Sequence, residues 1–107
     1  MPGDDSLYQL AAECGRLLLR RQWRLALAES CTGGLISTQL TDLPGASAFL
    51  ERSAVTYADS AKVSWLKIPA QLLEKEGAVS ETTARLMARG IRRAAHTDFG
   101  LAVTGIA

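Results

Sequence analysis

A chain of 107 residues with 48% hydrophobic content holds material for one core and is too short for two ordinary domains, so a single domain over residues 1–107 is expected. Its formal net charge of +1 does not supply the concentrated basic face that phosphate-driven nucleic-acid binding needs, and no apolar run reaches the length of a membrane span. Two cysteines, Cys14 and Cys31, are too few for a disulfide framework, and the polar opening Met1-Pro2-Gly3-Asp4-Asp5 is unlike a signal peptide, which points to a reducing cytoplasm.

Along the chain, Ser6 and Gln9 form a capping-box pattern ahead of Leu7, Leu10, Ala11, Cys14, Leu17 and Leu18. These apolar residues fall on one helical stripe, which places Cys14 on the buried side of a first helix. Arg24 to Glu29 reads as a strand, Gly33 to about Thr41 as a second helix stopped by the turn signal Asp42-Leu43-Pro44-Gly45, and Phe49 to Tyr57 as a second strand alternating at Leu50, Arg52 and Ala54. A short helix opens near Asp59 or Ser60 and ends before Pro69, with a helical turn over Pro69 to Glu74 after it. Ser80 caps a longer helix through Ala95 whose apolar face is Ala84, Met87, Ala88, Ile91, Ala94 and Ala95; Arg85, Arg89, Arg92 and Arg93 sit at helical spacing as a solvated outer face. Gly100 to Thr104 is a last, continuously apolar strand. Helices alternating with strands predict a layered α/β fold.

Three strand ends then carry chemistry: Glu29-Ser30, Thr56-Tyr57 and Val103-Thr104. Ligands of open α/β sheets collect at the carboxyl ends of strands. Ser30 is the candidate nucleophile, on a strand-to-helix turn, and a serine hydroxyl needs a base within hydrogen-bond reach. The sole histidine, His96, lies at the far end of the long helix, so a Ser-His-Asp triad is not expected. Lys62 is the alternative base in a Ser–Lys arrangement, with the phenol of Tyr57 between the two. On composition alone, however, the favoured readings are Lys62 as an exposed helix lysine paired with Asp59 and Tyr57 as a half-buried strand aromatic. Cys31 is a rival nucleophile or a packing residue, and adjacent turn positions point apart, so one of Ser30 and Cys31 is expected to face substrate. Backbone N–H groups at Thr32, Gly33 and Gly34 suit an oxyanion or a phosphate, or simply open a capped helix. Glu29 is a candidate to orient Lys62 or to hold a ribose hydroxyl. No set of residues has metal-ligand spacing.

Four blocks, Ala28-Glu29-Ser30-Cys31-Thr32-Gly33-Gly34, Val55-Thr56-Tyr57 with Ala61-Lys62-Val63, Gly77-Ala78-Val79-Ser80, and Ala102-Val103-Thr104-Gly105-Ile106-Ala107, occur in the order and approximate spacing of the CinA C-terminal domain family, the nicotinamide-nucleotide amidases. The chain resembles that family from about Leu7 onward. It departs from it at Glu51-Arg52-Ser53, where members commonly have glycines, and at Ala58-Asp59-Ser60-Ala61. The resemblance implies an α/β/α sandwich with a mixed or mostly parallel sheet, whose later glycine-rich loop and following elements are expected to lie beyond this chain. It implies deamidation of nicotinamide mononucleotide with Ser30, Lys62 and Tyr57 catalytic and with Glu29, Thr32, Gly33, Gly34, Thr104 and Gly105 around the substrate; no cofactor is expected, and the spacing of the ligand-type residues leads to the expectation of no metal. The expected partner is a small nucleotide substrate rather than nucleic acid or membrane. An uncovered sheet edge would make the chain a homo-oligomer. The competing readings are a non-catalytic remnant that binds nucleotide or self-associates, and a thiol-based redox module built on Cys31.

Overall fold

The computed structural model describes residues 2–106. In chain order it contains α1 (Pro2–Arg21), β1 (Leu25–Glu29), α2 (Leu35–Thr41), a 3-10 turn (Ala46–Ala48), β2 (Leu50–Val55), α3 (Asp59–Leu66), α4 (Ala70–Glu76), α5 (Glu81–Ala95) and β3 (Phe99–Val103). The three strands form one sheet in the order β2-β1-β3, and both pairings are parallel. Ala107, the last residue of the fourth sequence block, lies outside the described residues.

β1 is the central strand and is buried along its whole length. Its side chains alternate between two cores, as the pleat requires. Leu25 and Leu27 join Ala11, Leu40, Leu43, Ala46 and Phe49 under α1 and α2, whereas Ala26 and Ala28 join Leu66, Ile68, Leu73, Met87 and Ile91 under α3, α4 and α5. Small alanines on the second face let α5 come close, and Gly100 of β3 faces the Ala88 carbonyl with no room for a methyl. The result is the expected three-layer α/β/α arrangement, its sheet parallel throughout the described residues.

The local signals hold best where caps are local. Ser80 caps α5, its hydroxyl accepting the Thr83 N–H at 3.0 Å, and Met87, Ile91 and Ala95 are buried as expected while Ala94 is exposed. The capping box at Ser6 is not used, because α1 begins at Pro2 and runs through it. Cys14 is exposed, and so are Leu7, Leu10 and Leu17. α1 docks instead through Ala11, Gly15 and Leu18, a narrower set that admits the Phe49 ring against Gly15. The helix carries two apolar stripes, and the one with small residues makes the closer contact.

β2 also departs from simple alternation. Its register against β1 shifts between Leu25 and Ala26, so that Leu50 pairs with Leu25 and Arg52 with Ala26, leaving Glu51 as an extra residue. Such a bulge reverses which face the following side chains meet. Leu50 therefore packs beside α1 and α2, and Ala54 on the opposite face. Among the described residues, no helix is long and apolar enough to cross a membrane.

Candidate active site

The sheet's hydrogen bonding continues one residue past β1, where the Ser30 N–H donates to Val103 O at 3.0 Å and the Thr56 N–H donates to Glu29 O at 2.8 Å. Ser30 is thereby held at the rim by both neighbouring strands. Lys62, in α3, reaches the same point from below and is only 1% exposed. Its Nζ donates to Ser30 Oγ at 3.1 Å, to Thr56 O at 2.8 Å and to Tyr57 O at 3.1 Å. The Asp59 carboxylate stands 4.0 Å away, with its side chain 68% exposed.

That tripod has a chemical consequence. An ammonium group has three donors, and each finds an acceptor here. A neutral amine has two donors and one lone pair, and two of the three acceptors are carbonyls, which cannot give a proton. The lone pair of neutral Lys62 can therefore meet a proton only at Ser30 Oγ, the geometry a general base requires.

The Tyr57 phenol does not stand between these groups. The tyrosine is 66% exposed, its contribution to Lys62 is the backbone carbonyl, and the Ser30 to Lys62 contact is direct.

Glu29 has a different task from either expectation. Its Oε1 accepts from Thr32 Oγ1 at 2.6 Å and from the Ile36 N–H at 3.0 Å, and its Oε2 accepts from the N–H and Oγ of Ser37 at 2.8 and 2.5 Å. The buried carboxylate caps the first turn of α2 and so does not orient Lys62 or stand free for a ribose. Burial alone would raise its pKa, but the hydrogen bonds from Ser37, Thr32 and Ile36 together outweigh it and hold the carboxyl below the ordinary value. Because Glu29 already occupies the start of α2, that helix terminus is not open to a phosphate.

The Gly33 N–H donates to Ser30 O at 3.1 Å, closing a tight turn in which Gly33 and Gly34 both take positive φ, +62° and +108°. The glycines thus shape the turn, and Gly33 has no free donor for an oxyanion. Among the described residues, the N–H groups of Cys31, Thr32 and Gly34 meet no acceptor. Thr104 Oγ1 donates to Ala78 O at 2.8 Å, joining the end of β3 to the loop between α4 and α5.

Ser30, Cys31, Tyr57, Asp59, Lys62, Ala78, Val79, Thr104 and Gly105 enclose a cavity of about 170 Å³. Ser30 and Cys31 both line it, against the expectation that only one would. Thr32, Gly33 and Gly34 are not among the lining residues. Three lining groups were not singled out from the sequence as site residues: Asp59, read as a helix start and as a partner for Lys62, and Ala78 and Val79, whose one signal was their place in the third block. Thr56 was also missed, because its contribution is a main-chain oxygen; its own hydroxyl is buried without a partner among the described residues. Larger hollows, of about 470 Å³ between α1 and β3 and about 500 Å³ between α3 and α5, hold no paired nucleophile and base. Among the described residues no group of His, Cys, Asp and Glu could hold a metal ion.

Comparison with known proteins gives a consistent set. The family model for the CinA C-terminal domain matches residues 7–107. A "CinA-like protein" of Syntrophotalea carbinolica is 58% identical over 98 residues, covering 92% of this chain and 24% of its own, and one of Syntrophus aciditrophicus is 62% identical over 91 residues, covering 85% and 22%. The crystal structure of the competence/damage inducible protein CihA from Agrobacterium tumefaciens superposes with a TM-score of 0.91 at 40% identity, over 99% of this chain and 63% of that one. The competence damage-inducible protein A of Klebsiella pneumoniae gives 0.90 at 39%, over 92% and 62%. The chain thus spans about a quarter of the length of these curated relatives and somewhat under two thirds of the solved chains.

Proposed function

The chain belongs to the CinA C-terminal domain family, and on that premise we propose that it is an amidohydrolase converting nicotinamide mononucleotide to nicotinic acid mononucleotide and ammonia. The observation that carries this reading is the direct contact of a buried lysine with the candidate nucleophile, Lys62 Nζ to Ser30 Oγ at 3.1 Å, with two carbonyls occupying the other directions. The substrate itself rests on the family resemblance.

In the reaction, Ser30 Oγ attacks the carboxamide carbon while neutral Lys62 takes the hydroxyl proton. The oxyanion is held by the unengaged N–H groups of Cys31 and Thr32. Lys62 then gives its proton to the leaving nitrogen, the C–N bond breaks, and ammonia departs from an acyl-Ser30 ester. A water molecule attacks the ester, Lys62 takes the water's proton and returns it to Ser30 Oγ, and the carboxylic acid leaves. Tyr57 and Thr56 contribute the carbonyls that aim the amine, and Thr104 with Gly105 forms the far wall.

The test is ammonia release from nicotinamide mononucleotide by the 107-residue chain and by Ser30→Ala. Release by the first and not by the second is expected. No release by the unaltered chain, or equal release by both, would overturn the reading and leave the non-catalytic alternative.

A further inference from the structure

The groove of about 500 Å³ between α3 and α5 shares no lining residue with the cavity at Ser30. Its floor is apolar: Leu66 and Ile68 are buried, and Leu72 and Leu86 are half-buried beside them. The floor is also firm, because a Cβ at Gly90 would stand 2.3 Å from the Leu66 carbonyl oxygen, so α5 and the end of α3 meet there without slack. The exposed lining residues include Trp65, 58% exposed, with Lys67, Arg89 and Arg93, and no carboxylate is among them. Arg89 and Arg93 stand four residues apart on α5, where like charges destabilise a helix. The dipole at the end of α5 offsets that cost at Arg93, in the last turn, but not at Arg89. Arg85, one turn earlier, is answered by Glu81 at 2.6 Å, whereas Lys67, Arg89 and Arg93 meet no carboxylate among the described residues.

We propose that this groove docks an acidic amphipathic peptide segment of a partner protein. The segment's apolar side chains cover Leu66, Ile68, Leu72 and Leu86, and its carboxylates answer Lys67, Arg89 and Arg93. An apolar floor under a cationic rim asks for both chemistries in one ligand. Arginine forks bind carboxylates with two parallel hydrogen bonds, and exposed tryptophan and arginine are the residue types that carry most of the energy at protein interfaces. A single-stranded nucleic acid would satisfy the cations but would leave the aliphatic floor uncovered. One tryptophan is also not the row of stacking platforms that successive bases need. Because the groove and the Ser30 cavity have no residue in common, the docked segment leaves that cavity open.

The experiment selects a displayed library of random peptides on the 107-residue chain and measures the enriched peptides, made synthetically with a fluorescein label, by anisotropy. Enrichment of sequences that combine aspartate or glutamate with leucine, isoleucine or phenylalanine is expected, with affinity that falls as sodium chloride is raised. The double change Arg89→Glu with Arg93→Glu should weaken these peptides at least about tenfold, since it sets like charges against each other. Arg89→Lys with Arg93→Lys should retain most of the binding. Arg89→Gln with Arg93→Gln removes the charge without reversing it and serves where the glutamate variant unfolds. In a Trp23→Phe background, which leaves Trp65 as the sole tryptophan, the unlabelled peptide should change the emission of Trp65. Peptides without acidic enrichment, or equal binding by the glutamine variant, would overturn the proposal. So would a fluorescein-labelled oligothymidylate that binds the unaltered chain more tightly than the peptides do and is lost in the same variants, which would make the groove a nucleic-acid site.

Discussion

The carboxylate of Glu29 and both donors of Ser37 meet at one oxygen, the N–H at 2.8 Å and the hydroxyl at 2.5 Å, so the residue that ends β1 also starts α2. Ser30 follows Glu29 directly, and its position depends on that joint. Charge-assisted hydrogen bonds to a buried carboxylate are among the stronger ones, and leaving their donors unpaired costs the full desolvation penalty. Glu29→Gln should lower stability by about 2–3 kcal/mol, read as a smaller urea midpoint at unchanged slope.

The same residue gives a pH dependence with a definite sign. Its folded pKa lies below the ordinary 4.5, so the unfolded chain binds more protons than the folded one between those values. Stability from Glu29 is complete above the ordinary value and is lost as pH falls through it toward the depressed folded one. Urea titrations of the unaltered chain and Glu29→Gln at a series of pH values should converge on acidification. A difference that stays constant from neutral pH into the acid range would show that the hydrogen bonds do not favour the charged form.

Some of this design was legible in the sequence and some was not, for physical reasons. The Ser80 cap and the buried face of α5 are local features, set within a turn or two, and both stand in the structure. The position of Ser30 followed from an apolar run ending at a turn. Lys62 could be singled out only through the sequence blocks, because burial of a lysine is decided by what α3 packs against. The cap made by Glu29 joins residues seven and eight positions apart and has no short-range signature. The extra residue at Glu51 leaves no trace in the composition of β2, and the choice between two stripes of α1 was settled by the ring of Phe49.

Ser30 and Lys62 should behave as one unit. Removing either side chain eliminates proton transfer at Oγ, so Ser30→Ala and Lys62→Met should each reduce ammonia release by at least about 10³-fold, and the double variant should be no worse than either alone. Independent, multiplying losses would show that the lysine acts elsewhere. Lys62→Met also strands the Thr56 and Tyr57 carbonyls in the interior, at a cost of about 1–3 kcal/mol of stability, so its folding is checked by urea unfolding first.

Cys31 lines the cavity beside Ser30, while Cys14 is exposed on α1, away from it. In a Cys14→Ser background, alkylation of Cys31 by iodoacetamide should abolish ammonia release by filling the cavity. Cys31→Ser should retain release and escape the inhibition. Loss of release in unmodified Cys31→Ser would instead make the thiol the nucleophile.

Two glycines distinguish lack of space from backbone strain. A methyl at Gly90 would stand 2.3 Å from the Leu66 carbonyl oxygen, whereas at Gly33 it would meet nothing within 4 Å and suffer only the positive φ of +62°. Gly90→Ala forces α5 away from α3 and should cost about 3 kcal/mol, the upper end for overpacking. Gly33→Ala should cost about 1 kcal/mol while shifting Ser30, so its larger effect should be on ammonia release. Urea unfolding and initial rates on the same two variants separate these outcomes.

Among the described residues β3 pairs with β1 alone, and its other edge carries the remaining prediction for the 107-residue chain. Phe99, Gly100, Leu101, Ala102 and Val103 contain no charge and no proline, the usual guards of an edge strand. Phe99 and Leu101 are 44% and 45% exposed beside the uncovered stripe of α1. In an antiparallel pair of two copies about a twofold axis at Leu101, Phe99 of one copy faces Val103 of the other, and the apolar side chains stay on one face of the joined sheet. The 107-residue chain should therefore run as a dimer in size-exclusion chromatography with light scattering, and Leu101→Lys should return it to a monomer without loss of α/β circular dichroism. A chain that is already monomeric at high micromolar concentration, or a Leu101→Lys variant that remains dimeric, rules out pairing through this edge.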